Sequence, residues 1–198
     1  MTHRVYLAVG GNVEPEVRMP QAAIELHRYF PDIRFSPCYR NPPFGFTGAD
    51  FYNAAAQCEA WSTADAPTID AIVDQLHHIE AVCGRRRDDA KWAPRAMDID
   101  LLLYGDAVLE TSRCRLPRPD LLRRCYMLAP LADLAPELVH PLTGRTIADH
   151  WRELAREPHS LERVPLDLNQ CLSRASATSA ASATSADFAR RRPPESVR

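Results

Sequence analysis

The chain has 198 residues, of which 45% are hydrophobic and 25% charged, and its formal net charge is −2. This composition is typical of one globular domain, and the near balance of charge excludes a strongly basic nucleic-acid-binding protein. The six cysteines form neither a CxxC pair nor a Cys/His metal spacing, which favours reduced thiols and argues against a zinc site. No apolar run has the length of a signal peptide or a bilayer span. We therefore expect a cytoplasmic protein without membrane or nucleic-acid partners.

Apolar periodicity predicts an alternation of strands and helices over roughly the first half of the chain. The predicted elements are, in chain order, strand 5–9, helix 19–30, strands 33–39 and 51–59, helix 68–83 and strand 99–104. Gly84 supplies the stop of the second helix. The order β-α-β-β-α-β is that of an α+β, ferredoxin-like core, in which an antiparallel sheet carries helices on one face.

The last third of the chain predicts additions to this core and then a tail. Prolines divide residues 116–141 into short elements, and residues 147–156 have the pattern of a helix. Residues 173–187 are almost entirely Ala, Ser and Thr, and an Arg/Pro segment follows them. Such a stretch buries too little apolar surface to offset its ordering entropy. We expect a folded domain over residues 1–167 and a disordered tail over residues 168–198.

Two carboxylates mark the start of the last predicted strand. Asp98 and Asp100 are two residues apart, so their side chains share one face, where they repel each other unless a cation or a proton lies between them. Such oxygen pairs suit Mg²⁺, which completes its octahedron with water and substrate phosphates. Residues 85–87, Lys91 and Arg95 form a cationic run just upstream that fits phosphate. Together these groups favour chemistry on a nucleoside triphosphate.

A simpler interpretation of the same groups stays open. An Asp-x-Asp pair at a strand end is commonly a solvated rim, and an arginine cluster is commonly a solvated loop. Trp92 and Pro94 favour the functional interpretation, because an indole and a stiffening proline are costly in a mere connection. The chain contains neither a GxxxxGK[ST] loop nor a GxGxxG motif, so phosphate recognition falls to arginines and metal.

The chain resembles the 6-hydroxymethyl-7,8-dihydropterin pyrophosphokinases, folate-pathway enzymes that move a diphosphate from ATP to a pterin alcohol. The resemblance runs from about Val5 to Pro141. Its segments, in the family's order, are Val9–Asn12, Tyr39–Gly45, Phe51–Ala55, Ile79-Glu80 with Gly84-Arg85, Trp92–Asp100, and Leu116–Pro119 with Arg124 and Tyr126–Leu131. Each segment alone is a weak signal, but six of them in order are a strong one.

The resemblance implies roles for particular residues. Asp98 and Asp100 would hold two Mg²⁺ ions on ATP, and Arg85 and Arg95 would complete the catalytic set. The implied ATP-binding residues are His77, Glu80, Arg87, Trp92, Arg95, Arg113, Arg118 and Arg124. The implied pterin-binding residues are Asn41, Pro42, Phe44, Phe51, Asn53, Trp92 and Tyr126.

Some of these residues have an equally simple structural interpretation. Phe51 and Tyr126 lie in apolar runs and fit a plain core. Asn53 lies in an otherwise apolar strand, so it needs a polar partner, which a ligand or a neighbouring loop can supply. His77 fits a packed helix residue, and Arg87 fits a solvated loop.

The chain also departs from the family's pattern. Arg118 stands where the family usually has a histidine, Ala93 where it has a glycine, and Gly11 where it has a serine. We expect a monomeric diphosphokinase that forms AMP and a pterin diphosphate for folate synthesis, either slow or directed to a related pterin. The alternatives are a paralogue in a methanopterin-type pathway and a non-catalytic pterin- or nucleotide-binding protein.

Overall fold

An antiparallel sheet lies at the centre of the computed structural model, which describes residues 3–43, 45, 47–60, 68–86 and 94–177. Its strands in spatial order are β5 (Asp98–Tyr104), β1 (His3–Gly11), β4 (Phe51–Ala60), β3 (Cys38–Asn41) and β8 (Glu162–Val164), and β2 (Arg34–Phe35) also pairs with β4. A separate hairpin consists of β6 (Leu109–Glu110) and β7 (Arg115–Leu116). The order β5-β1-β4-β3 confirms the predicted ferredoxin-like fold.

Helices cover this sheet. They are α1 (Pro15–Tyr29), α2 (Ile69–Val82), α3 (Cys125–Leu134), α4 (Ile147–Leu154) and α5, which the structure describes over residues 168–177. The two helices predicted within the core are confirmed. Thr68 caps α2 by accepting a hydrogen bond from the Ala71 N–H at 3.2 Å, and Gly84 follows the helix with a φ of 93°. No helix within the described ranges is long and apolar enough to cross a membrane.

The sheet is covered on both faces, which corrects the expectation of helices on one face only. On one side α1 and α2 bury Leu7 together with Leu26 and Leu76. On the other side α3 and α4 form a second core that includes Tyr6 and Leu128. The cause is the composition of β1, whose apolar run places hydrophobic residues alternately on both faces. The predicted C-terminal additions supply the second layer.

The predicted strand 33–39 is interrupted. It forms two short strands, β2 and β3, on either side of Ser36 and Pro37. Pro37 has no N–H to donate, and the Ser36 hydroxyl takes part in the pairing by accepting a hydrogen bond from the Ala55 N–H at 2.9 Å.

The prediction of a tail from residue 168 onwards is wrong at its start. Residues 168–177 are helical, and Leu168 and Leu172 are buried against the main core. Asn169 pairs with both backbone groups of Phe35, accepting from its N–H and donating to its carbonyl, each at 2.9 Å. Two leucines one helical turn apart therefore anchor α5 before the Ala/Ser/Thr-rich stretch begins. Residues 178–198 lie outside the described residues.

All six cysteines are free, as expected. Cys38, Cys58 and Cys83 are buried, and burial raises the pKa of the Cys38 thiol to about 12. Thiols of this kind stay protonated and unreactive at neutral pH.

Candidate active site

The predicted carboxylate pair lies at the start of β5. Asp98 pairs with Gly10 of β1, and Asp100 pairs with Ala8. Ile99, between them, points into the main core and is 4% exposed, whereas the Asp98 and Asp100 side chains are 30% and 20% exposed. The alternation of a strand therefore places both carboxylates on the same, partly open face, as the sequence predicts.

Two arginines hold the Asp98 carboxylate. Arg85 Nη1 donates to Asp98 Oδ1 at 2.6 Å, and Arg95 Nη1 donates to Asp98 Oδ2 at 2.9 Å. Arg85 comes directly after the glycine that ends α2, and Arg95 lies in the segment that leads into β5. The structure thus brings together the two arginines and the aspartate that the resemblance groups as catalytic.

Glu80 lies beneath this cluster. Its side chain accepts hydrogen bonds from the Ile99 N–H at 2.7 Å and from Arg85, and the residue is only 3% exposed. Burial raises the pKa of Glu80 to about 7, although the Ile99 N–H and Arg85 act in the opposite direction. Glu80 therefore joins α2 to β5 and orients Arg85, and it presents little surface to a nucleotide.

A third arginine holds the other carboxylate. Arg118 Nη1 lies 2.9 Å from Asp100 Oδ1. Burial and the neighbouring charge of Asp98 raise the pKa of Asp100 to about 6, while Arg118, Arg85 and Arg95 lower it. The three arginines therefore favour the ionised form of Asp100, whereas burial and the charge of Asp98 favour the protonated form.

The carboxylate pair has the donor chemistry that Mg²⁺ requires. Asp98 and Asp100 offer hard oxygen donors on one partly open face, and their mutual repulsion is relieved by a cation. Among the described residues no group of three or more His, Cys, Asp or Glu side chains is placed to hold a metal ion. A cation bound by this pair therefore needs water and phosphate oxygens to complete its coordination.

One side of α2 carries further residues of the predicted ATP site. Asp74 and His77 are three residues apart on this helix and both are exposed, whereas Glu80, three residues further along, is turned into the interior. Arg113, from the β6–β7 hairpin, pairs with Asp74, with Arg113 Nη1 3.1 Å from Asp74 Oδ2. This places Arg113 on the exposed side of α2, bound to a carboxylate that the sequence analysis did not single out.

The start of α3 also lies near the carboxylates. Arg124 is the residue immediately before the helix, and its Nε is 4.0 Å from Asp120 Oδ1. Burial raises the pKa of the Tyr126 phenol, with Arg124 acting against it and Asp100 and Asp98 adding to it. Tyr126 also packs against the second core, so it is at least partly a core residue, and its role in a site stays a prediction.

The predicted pterin residues centre on Asn53 in β4. The Asn53 amide donates from Nδ2 to Asn41 Oδ1 at 2.7 Å, and Asn41 in turn donates to the Pro42 carbonyl at 2.9 Å. A Cβ at Gly10 would lie 2.4 Å from Asn53 Oδ1, so only glycine allows this amide to approach β1 so closely. Asn53 is thus held in a fixed position at a point where β1 has no side chain.

Phe51 is half-buried at the start of β4, opposite Asn41 of β3. Its position beside the Asn41–Asn53 pair is compatible with a wall of the predicted pterin site. Three predicted site residues lie outside the described residues, namely Phe44, Arg87 and Trp92.

Asn12 joins the parts of the site, although the sequence analysis gave it no role. Its N–H donates to the Arg95 carbonyl at 2.9 Å, its Oδ1 accepts from the Arg95 N–H at 2.7 Å, and its Nδ2 donates to the Ala49 carbonyl at 3.1 Å. At Gly11, an added Cβ would lie 2.6 Å from the Ala96 carbonyl oxygen, so this close approach explains the glycine.

Replacing Asn12 with alanine is expected to lower both stability and activity. The Arg95 N–H and the Ala49 carbonyl would lose their side-chain partner, which costs about 1 kcal/mol in the free energy of unfolding. Arg95 would also lose its fixed position, so kcat/KM falls further than stability alone explains. Urea unfolding and turnover should be measured beside Asn169→Ala, which removes two backbone partners far from the site. Equal activity in the two variants would contradict the positioning role.

Comparison with known proteins shows the family to which the chain is similar. A family model for 7,8-dihydro-6-hydroxymethylpterin-pyrophosphokinase matches residues 6–136. The 2-amino-4-hydroxy-6-hydroxymethyldihydropteridine pyrophosphokinase of Pseudomonas aeruginosa is 38% identical over 169 residues, covering 83% of this chain and 99% of the relative. The enzyme of that name from Methylorubrum extorquens is 35% identical over 165 residues, covering 81% and 98%.

A solved structure with the same fold is that of wild-type Plasmodium falciparum HPPK-DHPS with pteroate. It has a TM-score of 0.58 and 13% sequence identity over 77% of this chain, which spans only 44% of that longer protein. At this identity the likeness supports the fold alone. The family match and the bacterial relatives together show that the chain belongs to the 7,8-dihydro-6-hydroxymethylpterin-pyrophosphokinase family.

Proposed function

We propose that the chain transfers a diphosphate from Mg-ATP to the hydroxymethyl group of 6-hydroxymethyl-7,8-dihydropterin, releases AMP, and so serves folate biosynthesis. The observation that carries this proposal is the register of three adjacent strands. Gly10 of β1 pairs with Asp98 of β5 on one side and with Asn53 of β4 on the other. Directly paired residues share a face, so the carboxylate and the amide flank a glycine at a separation of about 10 Å, or two strand spacings.

This row offers binding groups to both substrates. The carboxylates and the arginines around them suit a polyanion, whereas Asn53 offers an amide to the hydrogen-bonding edge of a flat heterocycle. Gly10 between them has no side chain of its own, which lets the Asn53 amide lie against β1. A phosphate chain bound at Asp98 and a pterin bound at Asn53 would therefore meet over β1.

The proposed reaction requires charge neutralisation more than a protein nucleophile. The hydroxymethyl oxygen forms a bond to the β-phosphorus, the bond from that phosphorus to the bridging oxygen of AMP breaks, and the hydroxyl proton passes to water. Arg85 and Arg95 lie beside Asp98 and would bind phosphate oxygens there. Mg²⁺, when held by Asp98 and Asp100, would supply further neutralisation of the phosphate charge. Holding the two substrates in line can itself contribute about 7–11 kcal/mol.

The remaining predicted residues complete the proposal. Tyr126 and Phe51 would contact the pterin ring, and Arg124 would contact phosphate from the start of α3. Phe44, Trp92 and Arg87 stay in the proposal on the basis of the family resemblance alone.

A second candidate differs only in the pterin. Arg118 replaces the histidine usual in the family and contacts Asp100, which favours keeping a paralogue on a related pterin as the alternative. A non-catalytic binding protein is disfavoured, because Asp98, Asp100 and Arg95 are all present and in contact with charged partners.

The proposal is tested by following the nucleotide. Purified protein is incubated with Mg-ATP and 6-hydroxymethyl-7,8-dihydropterin, and AMP is separated from ADP by ion-exchange chromatography. Pterin-dependent AMP is expected. Pterin-dependent ADP would mean ordinary phosphoryl transfer, which contradicts the proposal. Turnover only with a pterin altered elsewhere on the ring would favour the paralogue.

A further inference from the structure

Six charged side chains balance one another at the carboxylate pair. The three carboxyl groups belong to Glu80, Asp98 and Asp100. The three guanidinium groups belong to Arg85, Arg95 and Arg118. Both oxygens of Asp98 are bound by arginine, and one oxygen of Asp100 is bound by Arg118. A divalent cation bound at Asp100 would therefore share this carboxylate with the positive charge of Arg118 and compete with it.

Arg118 is held less firmly than the other two arginines. Arg85 contacts both Glu80 and Asp98, and the backbone of Arg95 is bound at both its N–H and its carbonyl by Asn12. The Arg118 side chain is 36% exposed, and its buried Nε has no hydrogen-bond partner among the described residues. Within the described part of the chain its guanidinium is therefore held through Nη1 alone, and we expect that moving it away from Asp100 costs less free energy than moving Arg85 or Arg95 away from Asp98.

The backbone of Arg118 fixes where its side chain starts. The Arg118 N–H donates to the Leu102 carbonyl of β5 at 2.9 Å. Leu102 is two residues beyond Asp100 on the same strand, so the guanidinium reaches Asp100 from a fixed base. When displaced from Asp100, it stays within a side-chain length of any phosphate bound at the carboxylates.

We propose that Arg118 is an internal counter-ion that competes with a divalent cation for Asp100, so that this cation binds tightly only when a nucleotide is also bound. The nucleotide favours the exchange because its phosphates give the displaced guanidinium another anion to pair with. Cation and nucleotide are thereby coupled, and each raises the affinity for the other by the same factor. This inference rests on the proposed function, because it requires the cation and the nucleotide to share the site.

The expected size of the effect follows from simple competition. If the carboxylate is free of Arg118 for about one-tenth of the time, the apparent affinity for the cation falls about tenfold. Removing the guanidinium therefore raises the affinity for the cation about tenfold in the absence of nucleotide. It also removes the part of the coupling that depends on Arg118.

The test measures cation binding directly, without turnover. Free Mn²⁺ is followed by electron paramagnetic resonance during titration of the protein, with and without α,β-methylene-ATP. This analogue is not cleaved between its α- and β-phosphorus atoms, so no turnover occurs during the titration. In Arg118→Met, Mn²⁺ is expected to bind about tenfold more tightly without nucleotide, and its coupling to nucleotide should shrink by a similar factor. Arg118→Lys keeps the charge and should stay closer to the unmodified protein. Arg115→Met removes an exposed arginine of the same hairpin and should change neither value.

The outcomes separate this inference from the function on which it rests. Asp100→Asn should weaken Mn²⁺ binding in every condition. If it does, and Arg118→Met binds Mn²⁺ no more tightly than the unmodified protein, the competition is disproved while the cation site stands. If Mn²⁺ does not bind even with the nucleotide analogue, both the competition and the proposed cation site are wrong. Thermal unfolding of Arg118→Met checks that the variant is folded.

Discussion

Replacing Asp98 with asparagine is expected to lower kcat/KM by about 10²–10³-fold with the fold intact. Asparagine keeps the size of the side chain but removes the charge that orders Arg85 and Arg95 and that would attract the cation. Turnover should be measured at saturating Mg²⁺ together with thermal unfolding, so that a loss of activity is separated from a loss of structure. Asp100→Asn is expected to act in the same direction through its contact with Arg118.

A matched control exists in α4. Asp149 pairs with Arg152 at 2.6 Å and with the same sequence separation as Arg95 and Asp98. Asp149→Asn therefore removes an equivalent ion pair outside the site and should leave turnover unchanged. Near-normal rates in both Asp98→Asn and Asp100→Asn would remove the carboxylate pair from the mechanism.

Replacing Asn53 with alanine is expected to affect the pterin and not the nucleotide. The variant would lose a buried amide that is fixed by Asn41, and losing about 1–3 kcal/mol of hydrogen bonding in total predicts a rise of about 5–150-fold in the KM for pterin. The affinity for α,β-methylene-ATP, measured by calorimetry, should stay constant. Gln57→Ala changes a residue of the same strand away from the site and should alter neither value. An equal loss of both affinities would show that Asn53 supports the fold rather than the pterin.

The sequence predicts those parts of the fold that depend on local pattern. The order of strands and helices follows from apolar periodicity, and the shared face of Asp98 and Asp100 follows from the two-residue repeat of a strand. The second helical layer was not predicted, because periodicity shows that β1 is apolar on both sides but not what covers it. The start of the tail was misplaced because Leu168 and Leu172 are too few to outweigh the Ala/Ser/Thr-rich composition that follows.

The contacts within the site were less predictable, because they join distant parts of the chain. Arg118 meets Asp100 only because the β6–β7 hairpin folds back on β5, and Asn12 meets Ala49 and Arg95 through backbone groups that leave no trace in the residue types. Glu80 lies in the helix that the sequence predicts over residues 68–83, yet spacing alone does not show that it is buried beneath Arg85.

We infer that one row of the sheet, formed by Asp98, Gly10 and Asn53, serves both substrates. The decisive measurement is a crystal structure with Mn²⁺, α,β-methylene-ATP and 6-hydroxymethyl-7,8-dihydropterin, because the anomalous signal locates the metal independently. We expect manganese bound by Asp98 and Asp100, the pterin hydrogen-bonded to Asn53, and the hydroxymethyl oxygen facing the β-phosphorus above Gly10. Metal bound away from both aspartates, or a pterin bound away from Asn53, would contradict it.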